Sequence, residues 1–254
     1  MQSEDTVDKS NKRVVGLIPA RYESSRFEGK PLASILGTPM IQRTYNQAIQ
    51  SKRLSSVIVL TNSNDIYDFC NSMRMNCLIV DEECLTGTDR CAKGIKDIEG
   101  DIFVNIQGDE PLINPEAIDQ LVESHTLGSV SNAYVELDFY SDKRHDNNVV
   151  KVVTDTYNNA LYYSRLSIPY YQKEETTVKQ QLGLYAFNRE FLEMFPHLPV
   201  RELEKSESVE MLRFVENGFK VKMVKVEDEG YSVDTPDDLK RVEEILRKKL
   251  CWYT

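Results

Sequence analysis

Short runs of apolar and β-branched residues alternate with helical patterns along the first half of the chain. Four of these runs predict buried strands, at Arg13–Ile18, Ser56–Thr61, Cys77–Val80 and Asp101–Ile106. Two dipeptides, Thr38-Pro39 and Asn114-Pro115, have the residue types that cap and open helices, and apolar residues follow each at helical spacing. Because strands alternate with helices, we predict an α/β fold of three layers with a mostly parallel, doubly wound sheet.

The alternation becomes less regular after about residue 128. Four more runs have the composition of strands, at Val149–Thr154, Leu161–Ser164, Leu182–Phe187 and Phe219–Val226. The last of them could pair antiparallel with a neighbour. A helix is predicted over Val209–Asn217, ending at Gly218, because glycine readily adopts the left-handed backbone that often ends a helix. The clearest helix follows Thr235, with a proline at its first position and two aspartates in its first turn.

The composition argues against several classes of protein. Of the 254 residues, 41% are hydrophobic and 28% are charged, which is typical of a globular enzyme. No apolar run approaches the roughly 20 residues of a membrane helix, and the polar start has no secretory signal, so we expect a cytoplasmic protein without membrane insertion. The net charge of −10 disfavours nucleic acid as a partner. The five cysteines lack the spacing of a metal site and are predicted to be reduced thiols.

A basic loop directly follows the first predicted strand. Three cations and three small residues lie within it, namely Arg21, Arg26, Lys30, Ser24, Ser25 and Gly29. In open α/β sheets, ligands bind beyond the carboxyl ends of the strands. Fixed cations, hydroxyls and free backbone N–H groups together suit a polyphosphate. The loop matches neither a Walker A motif nor a dinucleotide-binding glycine motif, and taken alone it could equally be a solvated basic loop.

Two acidic segments are candidates for a divalent metal site. Asp109 ends the fourth predicted strand, on the same edge of the sheet as the basic loop, and Asp234 precedes the cap of the last helix. Carboxylates of this kind hold Mg²⁺, which keeps several waters and bridges substrate phosphates. Asp109 beside Gly108 is also ordinary turn chemistry, and Asp237 and Asp238 are better explained as charges that favour a helix start. The sequence therefore predicts a Mg²⁺ site of Asp109 and Asp234 and leaves open whether the two meet.

Six sequence blocks carry a resemblance to a known family. They are IPARYESSRFEGKPL (Ile18–Leu32), TGTDR (Thr86–Arg90), VNIQGDEPLI (Val104–Ile113), ALYYSRLSIPY (Ala160–Tyr170), LGLYAF (Leu182–Phe187) and VDTPDDL (Val233–Leu239). In this order they resemble the sugar-acid cytidylyltransferases, above all those that act on 3-deoxy-manno-octulosonate (Kdo). The resemblance spans about Val14 to Val242, nearly the whole chain.

The resemblance implies a Mg²⁺-dependent transfer of the cytidylyl group of CTP to a 2-keto-3-deoxy sugar acid, with Kdo as the first expectation. Arg21 and Lys30 would bind the triphosphate, and Asp109 and Asp234 would bind the metal. Ser24 and Ser25 would lie near the triphosphate, and Gly87, Thr88 and Arg90 would help to hold the nucleotide. Gln107, Arg165, Tyr185 and Glu210 would line the sugar-acid pocket. Ala20 and Gln181 are the remaining implied substrate-binding residues. The resemblance also implies a sheet of the nucleotide-diphospho-sugar transferase type, a homodimer, and a product used for a surface glycan such as lipopolysaccharide.

The same resemblance suggests how the chain is divided. Residues 1–12 are expected to be a disordered tail, and residues 13–250 a single cytidylyltransferase domain. Within that domain we expect a nucleotide-binding part at about 13–125 and a mixed α/β part for the sugar acid and the dimer contact at about 126–232. A metal-binding loop and helix would follow at 233–250.

Four positions depart from the family pattern, and one of them is Asn62, which follows Thr61 where aspartate is common. Glu28 stands where proline is usual, and it would add a carboxylate beside the triphosphate unless it faces solvent. Gln181 replaces a histidine and Met211 replaces a glutamine, both at expected sugar contacts. Loss of a hydrogen-bonding group there could cost about 1–3 kcal/mol, so a related ulosonic acid is an alternative substrate.

Two other function classes remain as alternatives. A glycosyltransferase on a similar sheet is disfavoured, because the Asp-x-Asp triplet that commonly holds its metal does not occur. A non-catalytic homologue would have no physical reason to keep the charges of Arg21, Lys30, Asp109 and Asp234.

Overall fold

The computed structural model describes residues 12–23, 27–126, 128–138, 140–172, 176–228 and 230–251. Nearly all of the predicted tail, residues 1–11, lies outside these ranges. The described strands are β1 (Val14–Ala20), β2 (Ser34–Ile35), β3 (Thr38–Pro39), β4 (Ser56–Thr61), β5 (Cys77–Ile79), β6 (Ile102–Ile106), β7 (Val130–Leu137), β8 (Lys151–Thr154), β9 (Ala160–Ser164), β10 (Val178–Asn188) and β11 (Val221–Lys225).

The described helices are α1 (Met40–Ala48), α2 (Asn64–Ser72), α3 (Gly87–Gly94), α4 (Pro115–Ser124), α5 (Arg189–Met194), α6 (Glu202–Glu207), α7 (Leu212–Glu216) and α8 (Pro236–Cys251). Short 3-10 turns lie at Lys30–Leu32, Asp142–Arg144 and Phe195–His197. Among the helices in the described ranges, none combines the length and the apolar character needed to cross a membrane.

One large sheet runs through the centre of the molecule, with its main path in the order β11-β7-β10-β6-β1-β4-β5. Strands β5, β4, β1 and β6 pair in parallel, and β11 is parallel to β7. Strand β10 lies between β6 and β7 and is antiparallel to both. The predicted mostly parallel α/β sheet is therefore confirmed. The antiparallel pairing suggested for the last strand is limited to one isolated bridge, between Lys222 and Asn159. The main partner of β11 is β7, to which it is parallel, and β10 is the strand that reverses.

A smaller antiparallel element extends from the long strand β10. Strand β8 pairs with β10 and with β9, and both pairings are antiparallel. Residues 178–180 of β10 pair with β7, and residues 179 and 180 pair with β8 as well. Residues 184–188 pair with β6, and residues 185–187 of these also pair with β7. This element falls within residues 126–232, where the sequence predicts a smaller mixed subregion.

The apolar core lies on both faces of the sheet. Strand β1 is buried along all seven residues, and its successive side chains face opposite sides, as the period of a strand requires. Val14 and Ile18 pack in one cluster with residues of α1, α2 and α4. Val15 and Leu17 pack in a second cluster with residues of α3, α5 and α7. The layers are therefore helices, sheet and helices, as predicted.

A third, small cluster attaches the C-terminal helix to the rest of the fold. Ile35 of β2, Met40 of α1 and Val242 of α8 pack with Val233, and all four are nearly or fully buried. The backbone N–H of Val233 also donates to the carbonyl oxygen of Asp109 at 2.9 Å. The segment before α8 is thereby fixed beside the carboxyl end of β6.

Helix starts follow the sequence signals with one shift. Asn114 caps α4 by accepting a bond from the Glu116 N–H, as predicted. Thr235 and Asp238 form reciprocal bonds at the start of α8, which supports the interpretation of Asp238 as a helix-start residue. The predicted Thr38-Pro39 start is displaced, because these two residues pair with β2 and the helix begins at Met40.

The predicted helix over Val209–Asn217 is shorter in the structure, where α7 covers Leu212–Glu216. Gly218 has the left-handed backbone expected of a residue after a helix, with φ of 85°. The N-terminal part of the predicted helix is instead an irregular turn that carries Glu210, and this turn reaches the cavity described next.

Candidate active site

A cavity of about 640 Å³ opens beyond the carboxyl ends of β1 and β6, where an α/β sheet is expected to bind its ligand. Most of the predicted site residues line it, namely Ala20, Arg21, Lys30, Gly87, Arg90, Gln107, Asp109, Arg165, Gln181, Tyr185, Glu210 and Asp234. Ser24, Ser25 and Arg26 lie outside the described residues. Thr88 is fully buried and is not part of the cavity wall.

Lys30 bridges the two carboxylates that the sequence marked for a metal. Its Nζ lies 2.7 Å from Oδ2 of Asp109 and 3.3 Å from Oδ1 of Asp234. Burial lowers the pKa of Lys30, but the two carboxylates outweigh burial and hold that pKa above its ordinary value. Gly29 precedes Lys30 with φ of 67°, a left-handed backbone that glycine adopts without strain. Three segments far apart in sequence therefore converge on one charged point.

The Asp109 and Asp234 carboxylates fit a Mg²⁺ ion. Because both reach the same ammonium group, their oxygens point toward one position. No set of three or more His, Cys, Asp or Glu residues in the described ranges could hold a metal. Two carboxylates completed by phosphate oxygens and water are a common arrangement for Mg²⁺. The donor set therefore suits a metal that arrives together with a nucleotide.

The first turn of α3 forms a second wall of the cavity. Backbone N–H groups at a helix start usually attract an anion, and here the Glu210 carboxylate takes that place. It accepts bonds from the N–H of Gly87 at 3.0 Å and of Thr88 at 3.1 Å, and also from the Thr88 hydroxyl. Burial raises the pKa of Glu210, while the bonds from Thr88 and Gly87 act in the opposite direction. Arg90, one turn further, donates to the carbonyl of Val80 at 2.9 Å.

A bulge in β10 shapes the floor of the cavity. The pairing with β7 shifts between Gln181 and Tyr185, and Gly183 lies in this interval. A Cβ at Gly183 would lie 2.8 Å from Cγ of Gln107, so only glycine lets the Gln107 side chain lie there. Gln181 Nε2 donates to the Tyr185 hydroxyl at 2.9 Å. Burial raises the pKa of Tyr185, which keeps its hydroxyl protonated and able to donate.

Arg165 lines the cavity from the segment that directly follows β9. Its Nε donates to the backbone carbonyl of Glu207 at 2.7 Å, and its Nη1 donates to that of Asn147 at 3.1 Å. The Glu207 carboxylate accepts the N–H of Arg165 at 2.8 Å and the hydroxyls of Ser164 and Tyr162 at 2.8 and 2.9 Å. These bonds fix the direction of the Arg165 side chain against the cavity wall.

Comparison with known proteins agrees with this arrangement. A family model described as cytidylyltransferase matches residues 15–226. The Arabidopsis thaliana protein named mitochondrial 3-deoxy-manno-octulosonate cytidylyltransferase is 40% identical, over 95% of this chain and 86% of its own length. A 3-deoxy-manno-octulosonate cytidylyltransferase of Trichlorobacter lovleyi is 38% identical, over 93% of this chain and 99% of its own length.

A solved structure gives the same result. The structure of CMP:2-keto-3-deoxy-manno-octonic acid synthetase complexed with CTP superposes with a TM-score of 0.86 at 32% identity. The superposition covers 93% of this chain and 99% of that one. The chain belongs to the 3-deoxy-manno-octulosonate cytidylyltransferase family.

Three of the departures from the cytidylyltransferase pattern, at Glu28, Gln181 and Met211, lie in different surroundings. Glu28 is exposed and is not part of the cavity wall. Gln181 lies on the cavity wall, where a sugar contact is expected. Met211 is fully buried and packs in the same apolar cluster as Phe214. The Met211 side chain lies outside the cavity. Of the two changes at expected sugar contacts, only Gln181 therefore still favours another sugar acid as the substrate.

Several buried charges on or behind the cavity wall were missed from the sequence of this cytidylyltransferase. Arg213 is paired with Asp89 and Glu204, and Lys151 donates to three backbone carbonyls. One signal was present, because charged residues recur at intervals of three in the segment 204–213. A surface helix would place such residues on one solvated face. The left-handed backbone of Ser208 instead breaks the helix and turns them toward the cavity.

Glu207→Gln should destabilise the cytidylyltransferase at neutral pH and much less in acid. Bonds from Arg165, Ser164 and Tyr162 outweigh burial and hold the pKa of Glu207 below its ordinary value of 4.5. A depressed carboxyl pKa stabilises the fold above the unfolded value, and this contribution is lost as pH falls through the folded pKa. Thermal unfolding at pH 7 and near pH 4 would measure this. The difference in thermal unfolding midpoint between wild type and variant should be smaller in acid than at pH 7. A difference that is the same at both pH values would contradict the account. Glu190→Gln in α5 is an exposed control.

Proposed function

We propose that the chain transfers the cytidylyl group of CTP to Kdo, giving CMP-Kdo and pyrophosphate. The observation that carries this proposal is the convergence of Lys30, Asp109 and Asp234 at the wall of a cavity that Arg165 also lines. Two separate sources of positive charge in one cavity suit two anionic substrates, a triphosphate and a sugar acid. The cavity volume of about 640 Å³ is within the usual range for small-molecule sites.

The reaction is an in-line displacement at phosphorus. The oxygen of the anomeric hydroxyl of Kdo forms a bond to the α-phosphorus of CTP. The bond from that phosphorus to the oxygen bridging the α- and β-phosphates breaks, and pyrophosphate leaves with the bridging oxygen. The hydroxyl proton passes to solvent water. No protein nucleophile is required, so the residues act by positioning and by neutralising charge.

At the nucleotide end, Arg21 and Lys30 bind the triphosphate. Arg21 is exposed at the rim of the cavity, whereas Lys30 is mostly covered. When phosphates enter, the Lys30 ammonium exchanges a carboxylate partner for a phosphate oxygen. The carboxylates of Asp109 and Asp234 would hold Mg²⁺. When bound, this ion supplies neutralisation of the phosphate charge that builds up as pyrophosphate leaves.

At the sugar end, polar groups of Gln107, Gln181, Tyr185 and Arg165 face the cavity. Arg165 is the cation that can pair with the substrate carboxylate, since its guanidinium bonds go to backbone carbonyls and not to a side-chain carboxylate. Gln181 is the feature that favours a second candidate, the same reaction on a related ulosonic acid. An amide offers a different donor and acceptor set from an imidazole, and such differences discriminate among polar substrates.

The partner of the chain is proposed to be a second copy of itself. Large apolar side chains are exposed along β9 and the segment after it, with Leu161 57%, Leu166 68% and Tyr170 86% exposed. Exposed apolar side chains grouped in this way mark a protein contact more often than scattered ones do.

Location in the cytoplasm stays a prediction, since the Arabidopsis relative is named as mitochondrial. Use of the product in a surface glycan stays a prediction as well.

Release of pyrophosphate from CTP, Mg²⁺ and a panel of 2-keto sugar acids tests the activity. We expect rapid release with Kdo, and Asp109→Asn should lower turnover by at least about 100-fold while the thermal unfolding midpoint stays close to wild type. Release with another acid only would replace the substrate, and no release with any acid would refute transfer. Near-normal turnover of Asp109→Asn would contradict its role.

The homodimer is tested by light scattering coupled to size exclusion. Leu166→Glu places a charge in the exposed patch, and it should shift the wild-type dimer toward a monomer, because an unpaired charge is costly in a protein contact. Ile49→Glu changes a side chain that is 53% exposed at the end of α1, and it should leave the dimer intact. A monomeric wild type would contradict the proposal.

A further inference from the structure

A buried arginine with two carboxylate partners lies beside the cavity. Arg213 is 1% exposed, and its Nη1 lies 2.8 Å from Oδ1 of Asp89. Its Nε lies 2.9 Å from one Glu204 oxygen, and its Nη2 lies 2.6 Å from the other. The guanidinium also stacks on the Phe195 ring, at 4.0 Å from the centroid. The position of Arg213 is therefore fixed from several directions.

This cluster is poorly explained as a stabilising device alone. Taking charged groups out of water is expensive, and a buried ion pair often contributes no more than an apolar replacement of similar volume. Arg213 has one positive charge for two carboxylates, and Glu210 lies near the same pair. The cluster is better explained by a need to hold Asp89 and Glu204 in fixed positions, because the planar guanidinium of arginine fixes the carboxylates that it contacts.

The geometry set by Arg213 reaches the cavity through α3. The Asp89 carboxylate accepts bonds from the backbone N–H and the hydroxyl of Thr86, and the Asp89 N–H donates to the Thr86 hydroxyl oxygen. The two backbone N–H bonds form the capping box of α3. Gly87 follows directly and lies on the cavity wall. Arg213 thereby holds, through one carboxylate, the backbone of the first turn of α3.

A second anchor comes from the same segment. Glu210, three residues before Arg213, accepts the N–H groups of Gly87 and Thr88. The other partner of Arg213, Glu204, belongs to α6 and also lines the cavity. The first turn of α3 and the α6–α7 segment are therefore joined by two charged contacts.

We propose that Arg213 is a positioning residue for the nucleotide, which fixes the first turn of α3 through Asp89 while its own side chain stays covered by protein. The inference rests on the proposed cytidylyl transfer and adds to it the residue that sets one wall of the nucleotide subsite. Without the paired bonds of the Arg213 guanidinium, the Thr86–Gly87 backbone shifts. Small shifts of a group that positions a substrate strongly weaken binding and lower the rate.

Arg213→Lys is the direct test, because lysine keeps the charge but cannot bond two carboxylates in fixed planes. Calorimetry should show an affinity for CTP about tenfold weaker, and kinetics should show the same rise in KM for CTP. The KM for Kdo should change by less than about twofold, and the thermal unfolding midpoint should stay close to wild type. Arg201→Lys is the matched control, since Arg201 is exposed and bonds Asn217 at 2.9 Å.

Unchanged CTP affinity of folded Arg213→Lys would overturn the inference, and so would equal rises in both KM values. If that variant does not fold, Arg213→Met with Glu204→Gln removes one charge of each sign, and its CTP affinity decides the question in the same way. Failure of the proposed function is separate, because a wild type that binds CTP and releases no pyrophosphate refutes transfer and leaves the binding test valid.

Discussion

Two carboxylates brought close together require a cation, and the fold of this cytidylyltransferase supplies one from a third segment. Lys30, Asp109 and Asp234 come from the loop after β1, the end of β6 and the segment before α8. Two carboxylates that contact the same ammonium group would otherwise repel each other strongly where they are partly shielded from water. The Lys30 ammonium removes that repulsion, and the bond from Val233 to Asp109 fixes two of the segments directly. The most remote parts of the chain thus meet at the site.

The rest of the cavity follows from how backbone polar groups are satisfied around this point. The helix start at α3, which could attract an outside anion, already holds Glu210. In the proposed reaction the phosphates are therefore directed toward Arg21 and Lys30, and Lys30 can exchange a carboxylate partner for a phosphate oxygen. The sugar end is built differently, since Arg165 and Gln181 are held by backbone carbonyls and by the Tyr185 hydroxyl. The wall at α3 is fixed by buried charges, and the wall with Arg165 and Gln181 is fixed by hydrogen bonds to backbone carbonyls and a hydroxyl.

Local patterns predicted those features that depend on neighbouring residues. The buried strand β1, the cap at Asn114 and the left-handed Gly218 all follow from a local apolar run, from a capping residue or from backbone preference. The placement of Asp109 at a strand end also predicted its edge of the sheet. The reversal of β10 and the burial of Met211 depend on contacts distant in sequence, which periodicity does not contain. The same limit applies to Arg213, whose spacing resembles that of a solvated helix face.

The central claim is that Asp109 and Asp234 form one metal site that is completed by the nucleotide. The most direct measurement is a titration of the protein with Mn²⁺ as a spectroscopic substitute for Mg²⁺, with CTP present and the sugar acid left out. Electron paramagnetic resonance would count the bound ion in wild type and in Asp234→Asn. The account predicts a bound ion in wild type and an affinity at least about tenfold weaker in the variant, since one of two protein ligands is lost. Equal Mn²⁺ affinity in the two proteins would contradict it.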